Sequence, residues 1–229
     1  FDAVFASAAV MSAAAFALAL FTRQRVIADS SGAFTLRSMI DLRVGWIALA
    51  TLLTTTLWGA VISFIPLYAH AQHLPGAGLF FSLDAIGTLS SRVFTGRLLD
   101  RYGALPLLAG GYAALIIALL MLGLATEPLL YGSSAVLLGM GFGVLIPTFQ
   151  TMAMNLVEAQ RRGAANATLY SAFDIGIGGG AIALGAFAEV AGYRAMFMAQ
   201  GLFLIVPAVM FLFFIHPAYR RAMRAQAPM

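Results

Sequence analysis

The sequence predicts an all-α integral membrane protein. Hydrophobic residues make up 62% of its 229 residues and charged residues only 10%, whereas about half of a typical soluble domain is apolar. The apolar residues come in blocks of roughly twenty, the length at which a helix crosses about 30 Å of hydrocarbon. The basic residues gather in alternate connectors between these blocks, a distribution typical of multi-pass membrane proteins.

We predict seven membrane spans, each bounded by Gly, Pro or charged residues. They cover residues 3–21, 44–69, 77–96, 104–125, 129–154, 165–190 and 195–215. Pro66, Pro147 and Pro207 lie inside three of these spans and predict local kinks, because neighbouring helices can satisfy the carbonyl that a proline leaves free.

The arginines predict the topology. If the spans alternate, eleven arginines fall in connectors on one side and Arg194 alone falls on the other. Positive residues favour the cytoplasmic side, so we expect a cytoplasmic C-terminus. The eleven are Arg23, Arg25, Arg37, Arg43, Arg97, Arg101, Arg161, Arg162, Arg220, Arg221 and Arg224. Arg194 and Glu189 are expected near the outer surface, in contact with solvent.

The connector lengths predict three segments. Residues 22–43 form a long polar connector, and every other connector is short. Short loops join neighbours within one bundle, whereas a long charged connector joins separate units. We therefore expect residues 1–21 to be a helix of a preceding bundle, residues 22–43 a cytoplasmic linker, and residues 44–229 a six-helix bundle with a tail. A chain that begins inside an apolar segment is interpreted as part of a longer protein.

Several other classes of protein are disfavoured. The chain contains no cysteine, and His70, His73 and His216 lack ligand spacing, so no metal site is expected. It contains no lysine for a Schiff base, and the run "GIGGG" follows no strand, as a dinucleotide site would require. No basic patch is interleaved with exposed aromatics, which argues against nucleic-acid binding. We expect neither an enzyme nor a bound cofactor.

The segment "GRLLDRYG" at residues 96–103 concentrates charge between two apolar runs. Gly96, Asp100, Arg101 and Gly103 make it resemble the signature loop of the major facilitator superfamily, although Ala104 and Leu105 replace two basic residues of that pattern. The stretches 139–157 and 161–197 are similar to those of bacterial efflux-type members. The resemblance covers essentially the whole chain and corresponds to the C-terminal half of the family, preceded by one helix of the N-terminal half.

The resemblance implies alternating access by two rocking bundles in a bacterial inner membrane. It suggests proton-coupled efflux, by antiport, of a small amphipathic substrate. The missing six-helix half and the lipid bilayer would be partners. The loop residues, together with Arg97, would latch the two halves in one state. Uptake transport and a non-transporting receptor or scaffold are the alternatives.

Charged residues inside predicted spans are the first candidates for a transport site. Asp84, Arg92 and Asp174 lie within spans, where a charge costs several kcal/mol and usually faces the bundle interior or a wet cavity. The first two are eight residues apart and share one helix face. They could form a proton or substrate site; structural hydrogen bonding or, for Arg92, a cytoplasmic charge network are the alternatives.

Polar and small residues in the spans give two further sets of candidates. Thr55, Trp58, Gln150 and Tyr170 could line a substrate path, with ordinary helix packing as the alternative. A second set comprises glycines spaced to allow close helix contact, in either sliding or static packing. This set contains Gly139, Gly143, Gly176, Gly180 and Gly185.

Overall fold

A computed structural model describes residues 2–21 and 40–226 of the chain. The described residues form helices and turns without a strand, which confirms the predicted all-α membrane fold. The chain divides into two compact units, residues 1–34 and 35–229. The first contains helix α1, Asp2–Phe21, which matches the first predicted span. Residues 22–39 of the predicted linker lie outside the described part.

The second unit contains helices α2 to α8. Its elements are a 3-10 turn Leu42–Val44, α2 Gly45–Ala71, α3 Ala77–Tyr102, α4 Ala104–Leu124, α5 Pro128–Asn155, a 3-10 turn Ala159–Arg161, α6 Arg162–Phe203, α7 Ile205–Met210, a π-helical turn Phe211–Ile215 and α8 His216–Gln226. The last residues of the predicted linker therefore already belong to the bundle.

Local backbone chemistry divides the C-terminal helices. Gly192 interrupts α6 with φ 81° and ψ 162°, a conformation that glycine adopts without a Cβ clash. The break separates the sixth and seventh predicted spans. Pro207 follows the turn at Leu204, and Pro217 follows the π-helical turn. A proline has no N–H to donate to the carbonyl one turn earlier, which explains why the turn at Leu204 and the π-helical turn each precede a proline.

Hydropathy and length identify four membrane-crossing stretches among the described residues: Leu42–Ala71, Ala104–Leu124, Pro128–Asn155 and Ala159–Arg224. The last stretch contains the break at Gly192 and so includes two of the predicted spans. Helix α3 is long enough but carries five charged residues. The apolar part of α1, Phe5–Phe21, is shorter.

The bundle of the second unit is organised around two helix pairs. Helix α2 packs along α6, α3 packs along α5, and α4 contacts both α5 and α6. Both pairs run parallel. In the pair α2 and α6, for example, Gly176 lies against Leu52 and Gly180 against Thr56, so the contacts advance in the same direction along both helices. Because glycine has no side chain, the paired backbones approach closely, as small residues permit in membrane bundles.

Polar contacts fasten the C-terminal end of the fourth helix, α4. The Tyr68 hydroxyl donates to the Leu122 carbonyl at 2.7 Å, and Arg194 Nε donates to the Gly123 carbonyl at 3.0 Å. These carbonyls belong to the last turn of α4, where helical partners are missing and the dipole favours a cation. Arg194 is exposed, as the sequence predicted, and it also caps the last turn of α4.

Candidate functional site

A polar cavity of about 500 Å³ opens between the two helix pairs. Helices α3 and α5 supply most of its wall, and Tyr170 of α6 closes one side. The lining residues are Arg92, Thr95, Gly96, Leu99, Ile146, Pro147, Gln150, Thr151 and Tyr170. Four of the predicted site residues, from three different helices, thus meet at one place: Arg92, Gly96, Gln150 and Tyr170.

A hydrogen bond bridges the two pairs beside this cavity. Gln150 Nε2 of α5 donates to the Tyr170 hydroxyl of α6 at 3.0 Å. The bond uses a lone pair of the Tyr170 oxygen, so the phenolic hydrogen remains available for another acceptor. A small apolar recess lined by Phe149 and Phe173 adjoins the same two polar residues.

Arg92 is exposed in the described part of the chain and lies in the cavity wall. The salt bridge found among the described residues joins Arg161 to Asp41, so no described acid lies within ion-pair distance of Arg92. Although Asp84 occupies the same helix, eight positions earlier, its carboxylate does not pair with Arg92.

Thr55 and Trp58 take packing positions outside this cavity. Thr55 is fully buried, and its hydroxyl donates to the carbonyls of Leu52 and Phe173 at 3.2 and 3.1 Å. Trp58 packs edge-on against Phe142, with ring centroids 4.8 Å apart. Neither residue lines the polar cavity, so the prediction that they face a substrate path does not hold for this cavity.

Asp84 is buried between α3 and α5, with 6% of its surface exposed. Its Oδ1 atom has no hydrogen-bond partner among the described residues. Its backbone carbonyl lies directly against Gly139, so the two helices touch at this level. A buried, unpartnered carboxyl group is costly when charged and is uncommon outside functional sites.

Asp174 has the opposite environment. It lies on the exposed face of α6, one turn beyond Tyr170, and no described residue pairs with it. The two candidate acids therefore differ: one carboxyl is enclosed in a helix contact and the other is open on the surface of this unit.

The charged segment 96–103 is helical almost to its end. Helix α3 continues through Tyr102, whereas the sequence predicted that the span ends at residue 96. Within this segment, Gly103 is the residue with a left-handed φ, at 78°, and its amide donates to the Leu99 carbonyl at 2.9 Å. Gly96 faces open space rather than a neighbouring helix.

The charged side chains of this segment are Arg97, Asp100 and Arg101, and all three are exposed. The Arg101 guanidinium lies 5.3 Å from the centre of the Tyr102 ring. Asp100 makes no salt bridge with either arginine within the described residues. Its carboxylate therefore remains available to a partner beyond this unit.

The predicted packing glycines lie at close helix contacts. Gly139 and Gly143 of α5 face Asp84, Thr88 and Ser91 of α3. The corresponding contacts of α6 with α2 place Gly176 and Gly180 against backbone atoms and Gly185 against the Phe64 ring. By contrast, a Cβ on Gly178 or Gly179 would meet nothing within 4 Å.

Sequence reasoning missed a polar cluster at the start of the bundle. Asp41 Oδ1 accepts from the Arg43 amide at 3.0 Å, and Asp41 Oδ2 accepts from Arg161 Nε at 3.0 Å. The Asp41 amide donates to Thr168 Oγ1 at 3.0 Å. An acidic residue directly before an apolar run is a common helix-start signal and could have indicated this cap.

Burial raises the pKa of Asp41, but the Arg43 amide and the Arg161 guanidinium outweigh it, so the net pKa lies below its usual 3.8. Asp41 is therefore charged at neutral pH. The cluster joins the beginning of α2 to the beginning of α6 at the same end of the bundle as the cavity.

The family model of the Major Facilitator Superfamily matches residues 1–160 and, in a second overlapping alignment, residues 47–228. The chain belongs to the major facilitator superfamily. This assignment confirms the resemblance drawn from the segment at 96–103, and it identifies the chain as part of an integral, multi-pass membrane protein of a transporter family.

Curated relatives carry the same family name. The chain is 28% identical over 170 residues to the uncharacterized MFS-type transporter YhhS of Salmonella paratyphi C, an alignment that covers 74% of this chain and 42% of that protein. It is 29% identical over 136 residues to YhhS of Escherichia coli K12, covering 59% of this chain and 34% of the relative. The matched region thus spans less than half the length of these relatives.

Proposed function

We propose that this chain forms the C-terminal half of a secondary active transporter that exports a small amphipathic molecule by alternating access. The observation that carries this proposal is the family match, which extends over nearly the whole chain. The polar cavity of about 500 Å³ supports it as a space of substrate size on this bundle; transporters of this kind bind substrate where two repeated bundles meet, and this unit would be one of them. An N-terminal six-helix half would supply the opposite wall.

Proton coupling is proposed to pass through Asp84. Asp84 is buried, and its Oδ1 lacks a partner in the described bundle. Ionising such a group without compensation costs several kcal/mol, so the proton stays while α3 and α5 pack in this way. A conformation that opens this contact to water would release it.

The membrane orientation follows from the arginine distribution. We propose a bacterial inner-membrane location with the C-terminus and the 96–103 segment in the cytoplasm. The exposed Asp100 would then meet the missing half and latch one conformation. Transport would use the proton gradient, with no bound cofactor.

Everted membrane vesicles that carry the complete transporter test this function. After respiration acidifies the vesicle lumen, acridine orange fluorescence reports each added compound that drives protons out by antiport. We expect at least one amphipathic compound to restore fluorescence, and Asp84→Asn to abolish the response. Asp174→Asn should keep part of it, since that carboxyl is exposed, and Glu189→Gln is the matched acidic control on the same helix.

Two results would contradict the proposal. If no compound in a broad amphipathic panel moves protons, the export function is wrong. If Asp84→Asn responds like the parent transporter at equal abundance, Asp84 does not carry the proton.

A further inference from the structure

We infer that the polar cavity binds an organic anion and that Arg92 and the Tyr170 hydroxyl hold its carboxylate. This inference rests on the proposed transport function and names the class of substrate. Nine residues line the cavity, and Arg92 is the one that carries a charge at neutral pH. The wall on this side is therefore positive.

The charge of Arg92 has no internal counter-ion in the described bundle. The described salt bridge lies elsewhere, between Asp41 and Arg161. A guanidinium within a membrane helix normally pairs with an acid or with backbone carbonyls. Here it borders an open cavity, so a bound anion is the partner that this wall favours.

The hydroxyl groups nearby are already committed as donors. Thr95 Oγ1 donates to the Ser91 carbonyl at 2.8 Å, and Thr151 Oγ1 donates to the Pro147 carbonyl at 2.9 Å. These two threonines can offer the cavity only lone pairs, whereas Gln150 offers its Oε1 as an acceptor and the second hydrogen of Nε2 as a donor.

Apart from that Gln150 hydrogen, the free donors belong to Tyr170 and Arg92. Gln150 Nε2 donates to the Tyr170 oxygen at 3.0 Å, which leaves the phenolic hydrogen free and orients the ring. The guanidinium of Arg92 offers five N–H groups in a planar fork that matches the two oxygens of a carboxylate. A carboxylate uses both side chains, whereas an ammonium group would be repelled by Arg92.

The rest of the cavity suits an apolar body. Leu99, Ile146 and Pro147 line it, and the adjoining recess adds the rings of Phe149 and Phe173. A volume of about 500 Å³ accommodates a two-ring aromatic acid. Charge at one end and aromatic surface at the other define an amphipathic organic anion.

Three probes of one shape test the inference on the complete, detergent-purified transporter by calorimetric titration. They are 1-naphthoate, 1-naphthamide and 1-naphthylmethylammonium. We expect 1-naphthoate to bind at least about tenfold more tightly than the other two probes. Those probes lose one charged hydrogen-bonded contact, and a tenfold change in affinity corresponds to about 1.4 kcal/mol.

Matched variants assign the binding to this cavity. Arg92→Gln should weaken 1-naphthoate about tenfold or more, while Arg92→Lys should keep part of the affinity. Tyr170→Phe should also weaken binding, by about tenfold, the low end for a hydrogen bond to a charged group. Arg221→Gln removes an exposed arginine of α8, outside the cavity and outside the 96–103 segment, and should change nothing. Melting curves of each variant show whether it is folded.

Failure of this inference differs from failure of the transport function. Absence of 1-naphthoate binding, tighter binding of the ammonium probe, or full affinity in folded Arg92→Gln would overturn the anion site. Proton-linked flux of a cationic compound that is insensitive to Arg92→Gln would overturn it too and leave the transporter intact. Binding of 1-naphthoate without any gradient-driven flux would leave the anion site and remove the function.

Discussion

Removing Arg161 tests whether the Asp41 cluster fastens the first helix of the bundle to α6. In Arg161→Gln the buried Asp41 carboxylate loses the partner at 3.0 Å, while the Arg43 amide remains. A hydrogen bond to a charged group is worth about 1.5–3 kcal/mol. Arg161 is 43% exposed, so water screens part of the attraction. We expect a loss of about 1–2 kcal/mol.

The complementary variant is Asp41→Asn. An asparagine keeps one acceptor but turns its amide hydrogens toward the Arg161 guanidinium, which also only donates. The loss should be at least as large as that of Arg161→Gln, because the Asp41 side chain is 3% exposed and its polar atoms cannot turn to water. The double variant should lose less than the sum of the two single losses.

Thermal unfolding in detergent from pH 7 to pH 3 measures these losses and their pH dependence. Because the pKa of Asp41 is lowered in the folded protein, its contribution is complete above the unfolded value near 3.8 and is lost as pH falls through the folded value. The deficit of Arg161→Gln should thus stay constant from pH 7 to about pH 5 and shrink below pH 4. Additive single losses within about 0.3 kcal/mol, or a deficit that disappears between pH 7 and pH 5, would refute the reasoning.

Two further predictions concern packing, and melting in detergent measures both. Gly180→Ala should destabilise the protein by roughly 1–3 kcal/mol, because the added Cβ overlaps the Thr56 backbone. Its control is Gly179→Ala, whose Cβ enters open space; it should be neutral or stabilise this unit by up to about 1 kcal/mol. Equal effects of the two variants would contradict the paired-helix contact. Arg194→Gln should cost about 1 kcal/mol, because it removes the hydrogen bond to the Gly123 carbonyl. An unchanged melting temperature would show that α4 does not need this cap.

Helix existence was predictable because membrane spans need continuous apolar length. The ends of the helices were less predictable. Helix α3 continues through charged residues to Tyr102, because a helix can extend beyond the hydrocarbon layer. The break at Gly192 was predictable because "AGYR" combines glycine with charge between two apolar blocks.

The lining of the cavity was only partly predictable. Membrane helices are apolar on all faces, so periodicity gives little information about which side points inward. Arg92, Gln150 and Tyr170 were identified by polarity and do meet. Thr55 and Trp58 have similar chemistry but pack against neighbours, and only the three-dimensional arrangement separates the two groups.

The parallel glycine contacts have a mechanical consequence. Where two backbones touch, as α5 touches α3 at Gly139, few side chains are left between them to change rotamer. Each pair is therefore stiff, like a single two-stranded rod. Between the rods, α4 contacts α5 and α6 and Trp58 of α2 packs against Phe142 of α5. Beside the cavity, the described hydrogen bond from α5 to α6 is the one from Gln150 to Tyr170. That bond costs little to break, so the cavity can widen locally while each rod keeps its shape.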